Sequence, residues 1–142
     1  MLQVQKVSKT WKYFANEKSL WKSVKVDGLI IKDWKVFFRI LNEQQTRCLD
    51  LTNLTMPQSD EEPTYWINFL LSISELKRLE ELHLSKCPSF VTKAIIDSSS
   101  EICKNLKFLK LIGCDLSFIK DLDLLPNYDV IYNLKTRTFK IL

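Results

Sequence analysis

The chain has little of what most enzymes and most hairpin-rich proteins are built from. It holds 1 histidine, 2 glycines and 4 prolines. So few glycines leave few of the positive-φ turns that tight hairpins need, which argues against a β-barrel made of hairpins. There is no glycine-rich phosphate loop and no Gly-x-Ser-x-Gly elbow, the local devices that present phosphates or a nucleophile. Acidic neighbours such as Asp60, Glu61 and Glu62 fall in a loop, with no apolar pocket to shift their pKa. No catalytic role is expected. No run of about 18 apolar residues is present, so nothing is expected to span a membrane. The opening MLQVQKVSKTWK lacks the apolar core of a secretory signal. It is basic and amphipathic, which leaves a mitochondrial presequence open, yet it is short, poor in arginine and runs straight into folded-looking sequence.

Concentrated charge is also missing. The 21 basic residues are scattered among 17 acidic ones, for a net charge of +4. Nucleic-acid binders gather Lys and Arg on one face, so neither nucleic acid nor membrane is expected as a partner. Apolar residues make up 46% of the chain, too many for a disordered segment, and its 142 residues suit one domain with a real core. The four cysteines, Cys48, Cys87, Cys103 and Cys114, form no Cys-x-x-Cys pair. Without a secretion signal they read as reduced thiols in a cytoplasmic or nuclear protein. Along the chain, His83 and Cys87 lie four apart, with Cys103 as a third donor. They fall at and just past a strand rather than in a knuckle, so no metal and no cofactor is expected.

What is present is a phrase that occurs twice. Leu79-x-x-Leu82-x-Leu84-x-x-Cys87 returns 27 residues later as Leu106-x-x-Leu109-x-Leu111-x-x-Cys114. The central pairs alternate at the period of a strand. Weaker copies are Trp21-x-x-Val24-x-Val26-x-x-Leu29, Thr46-x-x-Leu49-x-Leu51-x-x-Leu54 and Leu125-x-x-Tyr128-x-Val130-x-x-Asn133. From Val26 through Leu51, Leu84 and Leu111 to Val130 the steps are 25, 33, 27 and 19 residues. Most are near the 20–29 residues, roughly, of a leucine-rich repeat, and a unit that cannot bury its apolar side alone must stack on a neighbour. The expected fold is therefore α/β: a short leucine-rich-repeat solenoid of about five parallel strands with outer helices. Cys87 and Cys114 would fill equivalent small buried corners.

Between the phrases, spacing of three and four predicts helices. One covers 2–16 (Val4, Val7, Trp11, Phe14, Ala15). Another covers 32–43 (Trp34, Phe37, Phe38, Ile40, Leu41). A third runs from Pro63 to about Arg78 (Trp66, Phe69, Leu70, Ile73), and a fourth spans 91–103 (Ala94, Ile95, Ile96, Ile102, Cys103). The polar loop 56–63 explains the 33-residue step as a solvated insertion. Residues 115–124 hold at most one or two helical turns. Tyr128–Tyr132 is expected as the last strand, and the alternating tail 136–142 as an edge strand or a cover for the open end.

Val7-Ser8-Lys9-x-Trp11-x-x-x-Ala15-x-x-x-x-Leu20-Trp21-x-x-Val24 resembles the C-terminal half of an F-box. Cys103-x-x-Leu106-x-x-Leu109-x-Leu111-x-x-Cys114 resembles the cysteine-containing repeat of F-box leucine-rich-repeat proteins, and Cys87-Pro-Ser-Phe-Val91-Thr92 looks like the turn after its strand. The order is also that of the family, and the likeness covers nearly the whole chain. It implies residues 1–22 as a partial F-box-like helix and N-terminal cap, and 23–142 as the repeat domain. It further implies the substrate receptor of an SCF-type ubiquitin ligase. Such a receptor performs no chemistry but raises the effective concentration of a target's lysines at a separate ubiquitin-loading enzyme. Val7, Trp11, Leu20 and Trp21 would be the adaptor-facing remnant. The family carries a Leu-Pro segment and two helices before this point, whereas Met1 stands six residues before Val7. The ligase adaptor is thus an expected partner only if the full F-box is encoded upstream. Trp11 and Trp21 have a second explanation as packing that shields the first repeat. The alternative function is a stand-alone repeat scaffold or assembly factor, mitochondrial among its options, with no ubiquitin role.

In such a solenoid the parallel strands line the concave face. The residues flanking the buried Leu positions then form rows. The central row reads Lys25, Asp50, His83, Lys110 and Asp129. Mixed signs suit a protein partner rather than a polyanion. Phe108 and Ile112 would add apolar anchor area.

Overall fold

Alternation in the Leu-rich phrases becomes strands that are buried on one side only. The computed structural model describes residues 2–4, 20–98, 103–119 and 129–142. Among them, seven strands form one sheet in chain order: β1 (Leu2–Val4), β2 (Ser23–Asp27), β3 (Cys48–Asn53), β4 (Glu81–Ser85), β5 (Phe108–Ile112), β6 (Val130–Asn133) and β7 (Thr138–Ile141). The first five are parallel; β6 and β7 are antiparallel additions. The two full phrases are neighbours in register, with Leu82 opposite Leu109 and Leu84 opposite Leu111. Val24 meets Leu49, and Leu49 meets Leu82, so the weaker phrases continue the same rows.

These row residues are 0–2% exposed from Val24 to Leu111. They share one core with α1 (Trp34–Glu43), α2 (Glu62–Ser72) and α3 (Ser89–Asp97). Asp33 caps α1 by accepting from the Val36 amide at 3.1 Å, a contact worth about 1 kcal/mol. Pro63 occupies the first turn of α2, where its missing N–H costs nothing. Trp34 packs on Phe69 at 5.0 Å and on Tyr65 at 5.1 Å, and Phe38 packs on Phe69 at 5.7 Å. These edge-on and tilted ring contacts lock α1 to α2.

The units are also tied by backbone bonds just before each strand. Arg47 N–H donates to the Lys22 carbonyl (2.9 Å), Glu80 to Arg47 (2.7 Å), Lys107 to Glu80 (2.7 Å) and Leu134 to Lys107 (2.9 Å). Past the strands the chain turns through the left-handed region at Gly28 (φ 68°), Lys86 (φ 52°) and Gly113 (φ 60°). Two of these three equivalent places are the chain's only glycines, the residue that adopts this conformation without strain. Cys87 and Cys114 fill matching corners, 2% and 0% exposed, with the Cys87 amide donating to the Cys114 sulfur at 3.5 Å.

Several expectations need correction. The strand at Val130 is antiparallel to β5, not a fifth parallel one, and the fifth parallel strand is β1. A parallel return requires a crossover of a dozen or more residues, usually helical. The 19-residue step is the shortest in the chain, and antiparallel pairing asks for no such return. Residues 2–4 are extended, not the start of a helix; the rest of that expected helix, including Val7 and Trp11, lies outside the described residues. The third helix stops at Ser72 and continues as a 3-10 turn over Ile73–Glu75. The fourth ends at Asp97, where Ser98 carries non-helical dihedrals (φ −119°, ψ 23°); Ile102 is outside the described residues, and Cys103 is buried beyond the helix. The tail does form an edge strand: β7 pairs with β6, and Phe139 packs on Tyr132 at 4.4 Å.

Candidate functional site

The other side of the sheet is open, and the register decides which side chains meet there. β2 to β5 alternate between fully buried and partly exposed residues. One row across the strands is Ser23, Cys48, Glu81, Phe108 and Asn133, and the next is Lys25, Asp50, His83, Lys110 and Ile131. Lys25, Asp50, His83 and Lys110 are thus consecutive neighbours, as expected. Asp129 is not in their row. The antiparallel turn of β6 puts Ile131 beside Lys110, and Asp129 instead accepts from the Gly113 amide at 2.9 Å, at the edge of the sheet. Phe108 (40% exposed) and the half-buried Ile112 lie on the same open side.

The centre of this face is held by side-chain bonds. Asp50 Oδ1 accepts from the Thr52 hydroxyl (2.6 Å) and the Thr52 amide (2.9 Å). Its other oxygen lies 3.6 Å from His83 Nδ1, and His83 Nε2 lies 2.8 Å from Glu81 Oε1. The Ser85 hydroxyl donates to the Thr52 carbonyl at 2.6 Å, and Asn53 bonds Asp27. Partial burial works against ionisation of Asp50, but the Thr52 bonds and His83 together outweigh it and hold the carboxyl below its usual value. Cys48 shows the opposite balance: burial pushes its thiol up, Ser23 pulls it back, and the carboxylates of Glu81 and Asp50 add to the rise.

The metal set suggested by spacing along the chain is not brought together. Cys87 is turned into the core beside Cys114, and Cys103 donates to the Leu76 carbonyl at 3.3 Å, its thiol pushed up to about 11 by burial. A different set meets instead. Cys48, Glu81 and His83 place their ligand atoms within 4.8 Å of one another. Sequence reading put these residues on the open face but compared His83 only with donors nearby in the chain. Aligning the phrases Thr46–Leu54 and Leu79–Cys87 position by position sets Cys48 opposite Glu81 and Asp50 opposite His83, and that was the available signal.

Of the residues expected to face an adaptor, Leu20 is half-buried and Trp21 is 2% exposed. Trp21 is in the 3-10 turn Leu20–Lys22 that leads into β2, and its ring belongs to the core rather than to a docking surface. The loop 56–63 lines a groove of about 720 Å³ with Ile30, Ile31 and Tyr65, so it is more than a solvated insertion. No helix of the described residues is long and apolar enough to cross a membrane. No family model, curated protein or solved structure matches the chain.

Proposed function

We propose that the chain is a protein-binding module of the leucine-rich-repeat type that uses the open sheet face. We further propose that it is the substrate-recognition part of an SCF-type ubiquitin ligase receptor. The observation that carries the first step is the register: two 27-residue copies pair Leu82 with Leu109 and Leu84 with Leu111. Such pairing turns every phrase to the same side, so the leftover residues form one continuous surface. Its row Lys25, Asp50, His83, Lys110 alternates in charge over partly buried positions, which suits a protein with complementary charges. Phe108 supplies an exposed apolar anchor of the kind that dominates binding energy. The ligase assignment rests on the Val7-to-Val24 and Cys103-to-Cys114 phrases.

A photo-reactive amino acid at Lys110, compared with one at Lys35 on α1, tests the face. Cross-linking to a cellular protein from position 110 and not from 35 is the expected result; the reverse would move the interface to the helical side. Burial of Trp21 favours the second function, a repeat scaffold or assembly factor with no ubiquitin role, because packing alone then accounts for that residue. Direct binding of purified ligase adaptor to the chain, extended through any in-frame upstream sequence, separates the two.

A further inference from the structure

We propose that Cys48, Glu81 and His83 form a binding site for a zinc-class divalent ion, with Asp50 orienting the histidine. The inference needs nothing from the ligase or scaffold assignment. It follows from the register of β3 on β4, which sets Cys48 opposite Glu81 and Asp50 opposite His83. Four side chains thereby make a two-by-two patch on the open face. Three of them place a sulfur, a ring nitrogen and a carboxylate oxygen within 4.8 Å of one another. Ligands on a tetrahedral ion with bonds of about 2.0–2.3 Å stand roughly 3.5 Å apart, so modest side-chain rotation closes the set. Glu81 is the arm free to move, with its side chain 42% exposed against 12% for His83.

The fourth residue gives the patch the form of a metal site. Asp50 Oδ1 is committed to Thr52, which leaves Oδ2 aimed at His83 Nδ1. A carboxylate on one ring nitrogen fixes the tautomer with the proton there, and the lone pair on Nε2 is then free for the ion. This is the carboxylate–histidine–metal arrangement. On binding, a bond forms from the ion to Cys48 Sγ and the thiol proton leaves to solvent. His83 Nε2 gives up its contact with Glu81, and each of them bonds the ion. Water takes the fourth position. Lys25 and Lys110 stand in the same row on either side, which disfavours a hard ion held by charge alone. Selectivity then comes from the thiolate and imidazole, the donors that suit zinc over magnesium or calcium.

Cobalt(II) titrated into the whole reduced chain tests this. The expected result is one equivalent bound, with intense tetrahedral d–d bands, a thiolate-to-cobalt charge-transfer band and release of about one proton. Cys48→Ser should remove the charge-transfer band and weaken zinc binding at least ~10-fold, and His83→Gln should weaken it similarly. Asp50→Asn should keep the band but lose roughly 10–100-fold in affinity, the usual effect of an outer-shell partner. Cys103→Ser should keep both band and affinity. A band that survives Cys48→Ser, or no band in the unaltered chain, would overturn the site. Should the Cys48 variant fail to fold, zinc protection of Cys48 from alkylation in the unaltered chain, read by peptide mass spectrometry, gives the same decision. None of these readouts involves a protein partner, so they fail independently of the binding function.

Discussion

Lys86 occupies the turn position that glycine holds at residues 28 and 113, and the left-handed conformation is strained for any side chain with a Cβ. No atom lies within 4 Å of where a Cβ on Gly113 would be, so conformation alone sets the effect there. Gly113→Ala should destabilise by about 1–2 kcal/mol. Lys86→Gly should stabilise by less than that, since added freedom of the unfolded chain offsets part of the gain. Denaturant midpoints for the two variants should move in opposite directions. Asp50 makes a pH prediction with a definite sign. Its folded pKa is below the ordinary 3.8, so as pH falls the unfolded chain takes up its proton first. The stability Asp50 contributes is complete above that value and is lost as pH drops from it through the folded pKa. Asp50→Asn should flatten this part of the stability–pH curve below pH 4 or so while leaving its alkaline side unchanged.

The elements most readable from sequence were those with a strict period. β3, β4 and β5 and the first two-thirds of each helix follow from alternation or from three-and-four spacing, because each has one face buried against the same core. Direction was not readable. Val130 and Tyr132 alternate as a strand in either sense, and only the length of the connection and the partner edge decide which. Asp129 was placed in the central row for that reason and is instead at the turn. Elements facing each other across the sheet should behave as one unit. Leu82→Ala and Leu109→Ala should each cost about 2–5 kcal/mol, and the double variant should differ from the sum because the two residues are direct neighbours. At the far edge, Phe139→Ala removes the ring stacked on Tyr132. It should cost about 1–2 kcal/mol and speed amide exchange in β6 more than in β3.

At the scale of the whole molecule, one apolar core runs from Trp21 to Tyr132 beneath a sheet whose other face is free. That division was written into the repeated phrase. The chemistry of the free face was not visible until register was known, because Cys48 and Glu81 are 33 residues apart in sequence but directly opposed in the sheet. A buried apolar row tolerates only apolar residues, so it announces itself. An open row tolerates almost any residue, so its composition carries no period.

Both the binding face and the ion site depend on the two Leu-rich phrases being adjacent, parallel and in phase. Inter-strand amide NOEs between Glu81–Ser85 and Phe108–Ile112, measured on the isotopically labelled chain, address that point most directly. A parallel pattern with Leu82 beside Leu109 and Leu84 beside Leu111 is the outcome expected. NOEs that place these segments in helices, on separated strands, or one residue out of phase would contradict it, because any of these would break up the open rows.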